Sequence, residues 1–342
     1  MKNGLKLGLL LFGTALLLAC GDKSKTEAAE FFERGNYHFK KNETERALEL
    51  FTEAIEKVED FADAYNNRGL CYEKLGNIEK ASSDYRKAVE LDDSFDAAKL
   101  NLAAAYIQTG ELKSSEELLN RLAPSYADSS TFYDLRGKYY LQSYEPGAAE
   151  SDFKRSLKLL PNNTQTETNL GFAYYQQKDF EKAEKQFLKV LSSKPSFAFA
   201  LNNLSATYAQ MGYWQKALDY SQKTIEEVPN EVLFINTHTL NLIENNRFID
   251  ALEFSIKALK LDPHNPYALR NSGILRAKSE NYQEAVKELE KVEAKNPEVE
   301  FIYYYLGNLY QKQGDLTKAC KAFKRGELLS DLRSKRQALK CP

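Results

Sequence analysis

The chain is poor in the residues that carry most enzyme chemistry. It has three histidines, His38, His238 and His264, and four cysteines, Cys20, Cys71, Cys320 and Cys341. The histidines share no metal-ligand spacing and no Cys-x-x-Cys occurs, which removes the usual zinc patterns. Gly-x-Gly-x-x-Gly, the phosphate loop, the nucleophile elbow and His-Glu-x-x-His are all missing. The reading therefore assigns no catalytic residue, no metal and no cofactor, and expects no small-molecule substrate. There is also no excess of positive charge. Lys plus Arg total 47 against 49 for Asp plus Glu, a balance without the basic footprint that nucleic acid requires. Long apolar runs are lacking too. The longest, Leu7 to Leu18, is 12 residues, short of the ~20 that span a bilayer as a helix.

That run has the layout of a signal sequence. Lys2 and Lys6 supply a basic start, the apolar run follows, and the polar chain begins at Cys20. Leu17-Leu18-Ala19-Cys20 resembles the lipobox of bacterial lipoproteins. The resemblance implies a signal peptide over residues 1–19, cleavage before Cys20, and a palmitate-type lipid on Cys20 that attaches the protein to a membrane of the cell envelope. Gly21 after the cysteine favours the outer membrane by the sorting rules of such proteins. Residues 20–27 then form the lipidated cysteine and a polar tether, which spans at most ~25 Å.

What the chain does have is repetition. One 34-residue pattern runs nine times from Ala28 to Arg333 without insertion or deletion. Its eighth residue is Gly35, Gly69, Ala103, Gly137, Gly171, Ser205, Thr239, Gly273 and Gly307. Its twentieth is alanine in eight units and Ser115 in the third. A period of this size signals a solenoid, in which each unit packs on its neighbours. Small residues at positions 8 and 20 let two helices approach, and large residues at 11 and 24 fill the space between units. The pattern resembles the tetratricopeptide repeat. That implies an all-α fold, an α-α superhelix of nine helix-turn-helix repeats over 28–333, with a cap and tail over 334–342. Ser330 to Lys340 reads as the final helix.

Repeat 3 departs from the pattern. Pro124 predicts that its second helix ends near Leu122, with a local bend before Ser130. Repeats 6 and 7 carry Ser221 and Ser255 where an aromatic is expected, with Tyr220 and Phe254 one residue earlier. Cys71 reads as a small buried apolar residue. Cys320 and Cys341 leave two readings open: a bridge stapling the terminal helix, or two free thiols.

In arrays of this family the first helix of each unit lines a concave groove. The resemblance places Asn36, Asn67, Asn101, Asn169, Asn203 and Asn271 on or near that face, with Gln108, Gln142, Gln176 and Gln210 at position 13. Amides both donate and accept hydrogen bonds, so such a row suits the backbone of a bound peptide. The same asparagines equally suit bridges between adjacent helices. Phe199, Tyr267, Phe301 and Tyr304 lie outside the core phase and read either as anchors for a partner or as packing against the next helix. A clamp for a peptide carboxylate is not expected, since Phe32, Ala97 and Asn101 stand where cations are needed. The expected function is a lipid-anchored adaptor or assembly factor that holds a peptide segment or helix of a protein partner. The alternative is a structural spacer or self-associating component of an envelope complex.

Overall fold

A computed structural model of the protein describes residues 23–341. Among them are nineteen α-helices and no strand. The expected leader and Cys20 lie outside the described residues. The helices divide into two compact units, one ending at Asn169 and the other beginning at Leu170. The first unit holds α1 (Lys23–Lys40), α2 (Thr44–Lys57), α3 (Ala62–Lys74), α4 (Ile78–Leu91), α5 (Asp96–Thr109), α6 (Leu112–Leu122), α7 (Ser130–Gln142), α8 (Pro146–Leu159) and the start of α9 (Thr164–Gln176). The second holds the rest of α9, then α10 (Phe180–Ser193), α11 (Ala198–Met211), α12 (Trp214–Glu227), α13 (Val232–Glu244), α14 (Phe248–Leu261), α15 (Pro266–Lys278), α16 (Tyr282–Lys295), α17 (Ile302–Lys312), α18 (Leu316–Leu328) and α19 (Leu332–Ala338).

The helices follow the repeat frame closely. From repeat 2 to repeat 8 the first helix begins at position 1, and every second helix begins at position 17. The turn between them has one backbone demand, a left-handed residue at position 15. Gly76, Gly110, Gly212 and Gly314 meet it without strain, and Asn42 and Asn246 tolerate it. Tyr144, Lys178 and Glu280 adopt the same conformation, with φ near 60°.

Local departures have local causes. α1 (Lys23–Lys40) reaches five residues ahead of the frame and so takes residues 23–27 out of the expected tether. No helix breaker lies between Asp22 and Ala28, and Glu27 holds the extension through Lys57 at 2.7 Å. In repeat 3, α6 ends at Leu122, and turns follow to Asp128. Ser115 replaces the alanine of position 20 by donating to Ala103 O at 3.0 Å. At the C-terminus Asp331 caps α19, accepting from Arg333 N at 2.9 Å. Cys320 and Cys341 form a disulfide that ties the end of the chain to α18. Cys71 is a buried free thiol, and burial pushes its pKa up to about 12.

Candidate functional site

The asparagine row divides between packing and surface. Asn101 Nδ2 donates to Asn66 Oδ1 at 2.9 Å, Asn66 Nδ2 to Asn67 Oδ1 at 3.0 Å, and Asn67 Nδ2 to Asn36 Oδ1 at 2.8 Å. This chain of four amides ties α1, α3 and α5 together, and Asn66, Asn67 and Asn101 are buried. Buried amides are stable only with partners, and here each supplies the next. Asn169 donates to Asp134 at 3.4 Å. In the second unit Asn271 is fully buried, donating to Asn236 O at 3.0 Å and accepting from Arg270. The structure therefore removes Asn67, Asn101 and Asn271 from the open groove, because position 6 points at the neighbouring first helix. Asn203 and Asn36 are half-buried.

The glutamines and aromatics are also split. Gln108 and Gln142 are exposed and Gln176 is half-buried, while Gln210 Nε2 donates to Tyr175 Oη at 3.2 Å. Phe199 is half exposed, edge-on to Phe234 at 5.3 Å. Tyr267 lies beside the Arg270 guanidinium at 5.5 Å. Phe301 is buried, with its ring 6.0 Å from that of Trp214, which takes it out of the accessible set. At the positions of a carboxylate clamp, Phe32 and Ala97 are buried and Asn101 belongs to the amide chain.

Tyr304 leads to the most developed site, in the second unit. The frame starts the first helix of repeat 9 at Glu300, but α17 begins at Ile302 behind a left-handed Phe301. The delay turns Phe301 toward Trp214 and places Tyr304 and Tyr305 beside α19. Arg333 then lies over Tyr304 at 3.7 Å and Trp214 at 5.1 Å. Its Nη2 is 3.0 Å from Glu244 Oε2, and its Nη1 donates to Tyr305 Oη at 3.3 Å. Tyr305 in turn donates to Glu244, and Tyr175 donates to Glu300. Burial raises the pKa of both phenols, and the adjacent carboxylates raise it further. Burial opposes the Arg333 charge, but Tyr305 and Glu244 outweigh it, so its pKa rises. Arg270 is buried and donates to Glu300 O at 2.8 Å and to Asn271, and burial lowers its pKa.

Beside this hub opens a recess of about 650 Å³ between α13, α15, α16, α17 and α19. Ile243, Ile274, Tyr282 and Leu309 line its apolar part, and Tyr304, Tyr305, Glu244 and Arg333 form one wall. Asn308, Gln311, Lys278 and Lys312 supply amides and cations. Such a mixture suits a polypeptide carrying an apolar side chain and a negative or amide group. Among the described residues no group of three or more His, Cys, Asp or Glu could hold a metal ion, and no helix is long and apolar enough to cross a membrane.

The frame flagged Tyr304 but not Trp214, Glu244, Arg270, Tyr305 or Arg333. The available signal was composition: Trp214 is the only tryptophan, and Arg270 stands at position 5, where the two preceding repeats have Asn202 and Asn236.

Tetratricopeptide-repeat profiles match residues 35–76, 62–95, 83–139, 168–197, 200–226 and 270–328. DnaJ homolog subfamily C member 7 of Homo sapiens is 27% identical over 134 residues, 39% of this chain and 27% of that protein. Hsp70-Hsp90 organizing protein 3 of Arabidopsis thaliana is 40% identical over 70 residues, 20% of this chain and 12% of that protein. The matches thus span about a quarter or less of these relatives. Among solved structures, a chain of the APC/C hetero-tetramer Cut9–Hcn1 superposes with a TM-score of 0.61 at 14% identity, covering 96% of this chain and 79% of that one. That likeness concerns the fold. With the repeat frame, the helical hairpins and the matched segments in agreement, the chain belongs to the tetratricopeptide-repeat family.

Proposed function

We propose that the protein is a lipid-anchored adaptor of a bacterial envelope, attached through Cys20 and holding a segment of a protein partner in the recess of its second unit. The observation that carries this reading is the recess itself. Five helices converge on an open, half-apolar space whose wall is fixed by the Arg333–Glu244–Tyr305 hub. A site held by such a network is preorganised, so binding there loses little to ordering the protein. The relatives named above include an organizer of chaperones by its name, which supports a protein partner without identifying one.

The test is a photo-crosslinking residue at Asn308, beside the recess, in cells producing the full-length protein. A discrete heterologous adduct at 308, absent when the same residue replaces the exposed Glu90, is expected. No adduct would sink the adaptor reading, and an adduct of the protein with itself would establish the self-associating alternative. The anchor is tested separately. Cys20→Ser is expected to release the protein from membranes washed at high salt, where the parent stays bound, and retention of Cys20→Ser after that wash would refute lipidation.

A further inference from the structure

The C-terminal end of the chain differs from the rest in charge, and it joins that charge to a set of exposed leucines. From Leu316 to Cys341 there are eight basic residues, Lys318, Lys321, Lys324, Arg325, Arg333, Lys335, Arg336 and Lys340, against two acids, Glu327 and Asp331. The whole chain is balanced at 47 to 49. Over the same stretch Leu316, Leu328, Leu329, Leu332 and Leu339 are all exposed, Leu328 by 84% and Leu339 by 77%.

The repeat frame shows that stacking does not require this arrangement. Leu328 occupies position 29, which is solvent-facing throughout the array. The equivalent residues are Glu56, Glu90, Pro124, Lys158, Ser192, Glu226, Lys260 and Ala294. Only the last repeat places a large apolar side chain there. α19 has seven residues, about half the length of an ordinary first helix, so it leaves much of the outer face of α18 open. A shallow depression of about 540 Å³ runs along that face from Leu316 past Cys320, Lys321 and Lys324 to Leu328. The disulfide fixes the end of the chain, and with it Leu339, beside Cys320. Lys321, Lys324, Lys335 and Arg336 are exposed.

We infer that this C-terminal face is a docking surface for an anionic lipid bilayer, independent of any lipid on Cys20. Protruding leucines ringed by lysines and arginines match the chemistry of an interfacial anchor. The leucines enter the boundary between headgroups and acyl chains, and the cations stay with the phosphates. The depression is shallow and open, and Leu328 and Leu339 project beside it with their side chains largely in solvent, ringed by cations, which favours a bilayer over a protein partner that needs an enclosing groove.

The test places tryptophan at the surface in full-length protein carrying Cys20→Ser, once as Leu328→Trp and once as Lys260→Trp, the same repeat position in repeat 7. Vesicles of brominated-chain phosphatidylglycerol are then added. The expected result is a blue shift and quenching for the tryptophan at 328, absent at 260, lost at high salt and lost with phosphatidylcholine. Adding Lys321→Glu and Lys324→Glu is expected to raise the lipid concentration required by on the order of tenfold or more. Equal quenching at 328 and 260, or equal response to neutral vesicles, overturns the inference. So does a response at 328 to soluble polyglutamate without a response to vesicles, which would assign the surface to an acidic protein.

Discussion

Gly307 faces Phe323 so closely that a β-carbon on the glycine would lie 2.3 Å from Phe323 Cε1. The relationship recurs between positions 8 and 24. A β-carbon would lie 2.7 Å from Phe51 at Gly35, 2.6 Å from Tyr85 at Gly69, and 2.5 Å from Phe153 at Gly137 and from Phe187 at Gly171. Where position 24 is smaller, position 8 is larger in three of four repeats: Ala103 stands with Leu119, Ser205 with Ser221, and Thr239 with Ser255, whereas Gly273 stands with Leu289, whose Cδ2 would lie 2.7 Å from an added β-carbon. The two positions share one volume, as close packing requires. Gly171→Ala gains about 1 kcal/mol of helix propensity yet is expected to destabilise by a net ~1–3 kcal/mol through overpacking. Gly171→Ala with Phe187→Leu, the combination of repeat 3, should recover most of the loss. Denaturant midpoints of the three proteins check this, and a Gly171→Ala midpoint at or above the parent would contradict the shared-volume account.

A second exchange links positions 7 and 23. Arg68 and Arg136 each donate two hydrogen bonds to Asp84 and Asp152, at 2.7 and 2.8 Å and at 2.6 and 2.8 Å. The repeat between them carries Leu102 and Leu118 at the same positions, both buried. Asp152→Ala leaves the half-buried Arg136 guanidinium without its carboxylate and should cost about 2 kcal/mol. Arg136→Leu with Asp152→Leu recreates the apolar pair and should fall within about 1 kcal/mol of the parent. A double variant as unstable as Asp152→Ala would show that the ion pair is not interchangeable with the apolar one.

These pairings explain what could be read beforehand. The frame showed the pairing of helices in each repeat, the early end of α6 and the role of small residues, because each depends on residue type at one position. The amide chain was harder to place. Asn67 and Asn101 look alike on an open face and between two helices, and only the 2.8–3.0 Å contacts through Asn66 decide it. The Arg333 hub was least legible. It joins Trp214, Glu244, Tyr304 and Arg333 across three repeats and the terminal helix, a separation that no nearest-neighbour reading of a solenoid covers. The left-handed Phe301 that makes room for it has no sequence mark, since glycine or asparagine would be the usual choice.

His238 fills part of the space left by the serines of position 24. Its Nδ1 pairs with Ser221 Oγ at 2.9 Å, and its ring meets Phe254 edge-on at 4.8 Å. Burial first, and Arg247 after it, lower its pKa from 6.5 to about 4 against the opposing pull of Asp250. The unfolded chain binds a proton below about 6.5, whereas the folded one resists until about 4. Stability from this site is therefore complete above pH 6.5 and is lost as pH falls through that window, by up to about 3 kcal/mol. His238→Gln retains a partner for Ser221 and removes the titration. Its urea midpoint should decline less than the parent's between neutral pH and the acid end of the window. Parallel declines in both proteins would exclude His238 as the source.

The terminal helix is held twice, and the two restraints should separate in experiment. The Cys320–Cys341 bridge closes a loop of sequence separation 21, worth about 3 kcal/mol if chain entropy dominates. Arg333 holds the other side, and Arg333→Met would leave Glu244, mostly buried at 13% exposure, beside Tyr305 without its cation. Reduction by a dithiol, or Cys341→Ser, frees the end of the chain but leaves Arg333 on Glu244. Amide exchange should then quicken in α19 and little elsewhere. Arg333→Met keeps the bridge but loosens the hub, so exchange should quicken in α17 and at the C-terminal end of α13 as well. If both changes raised exchange in α19 alone, Arg333 would serve only the cap, and the wall of the recess would have to be held by Tyr305 and Glu244 themselves.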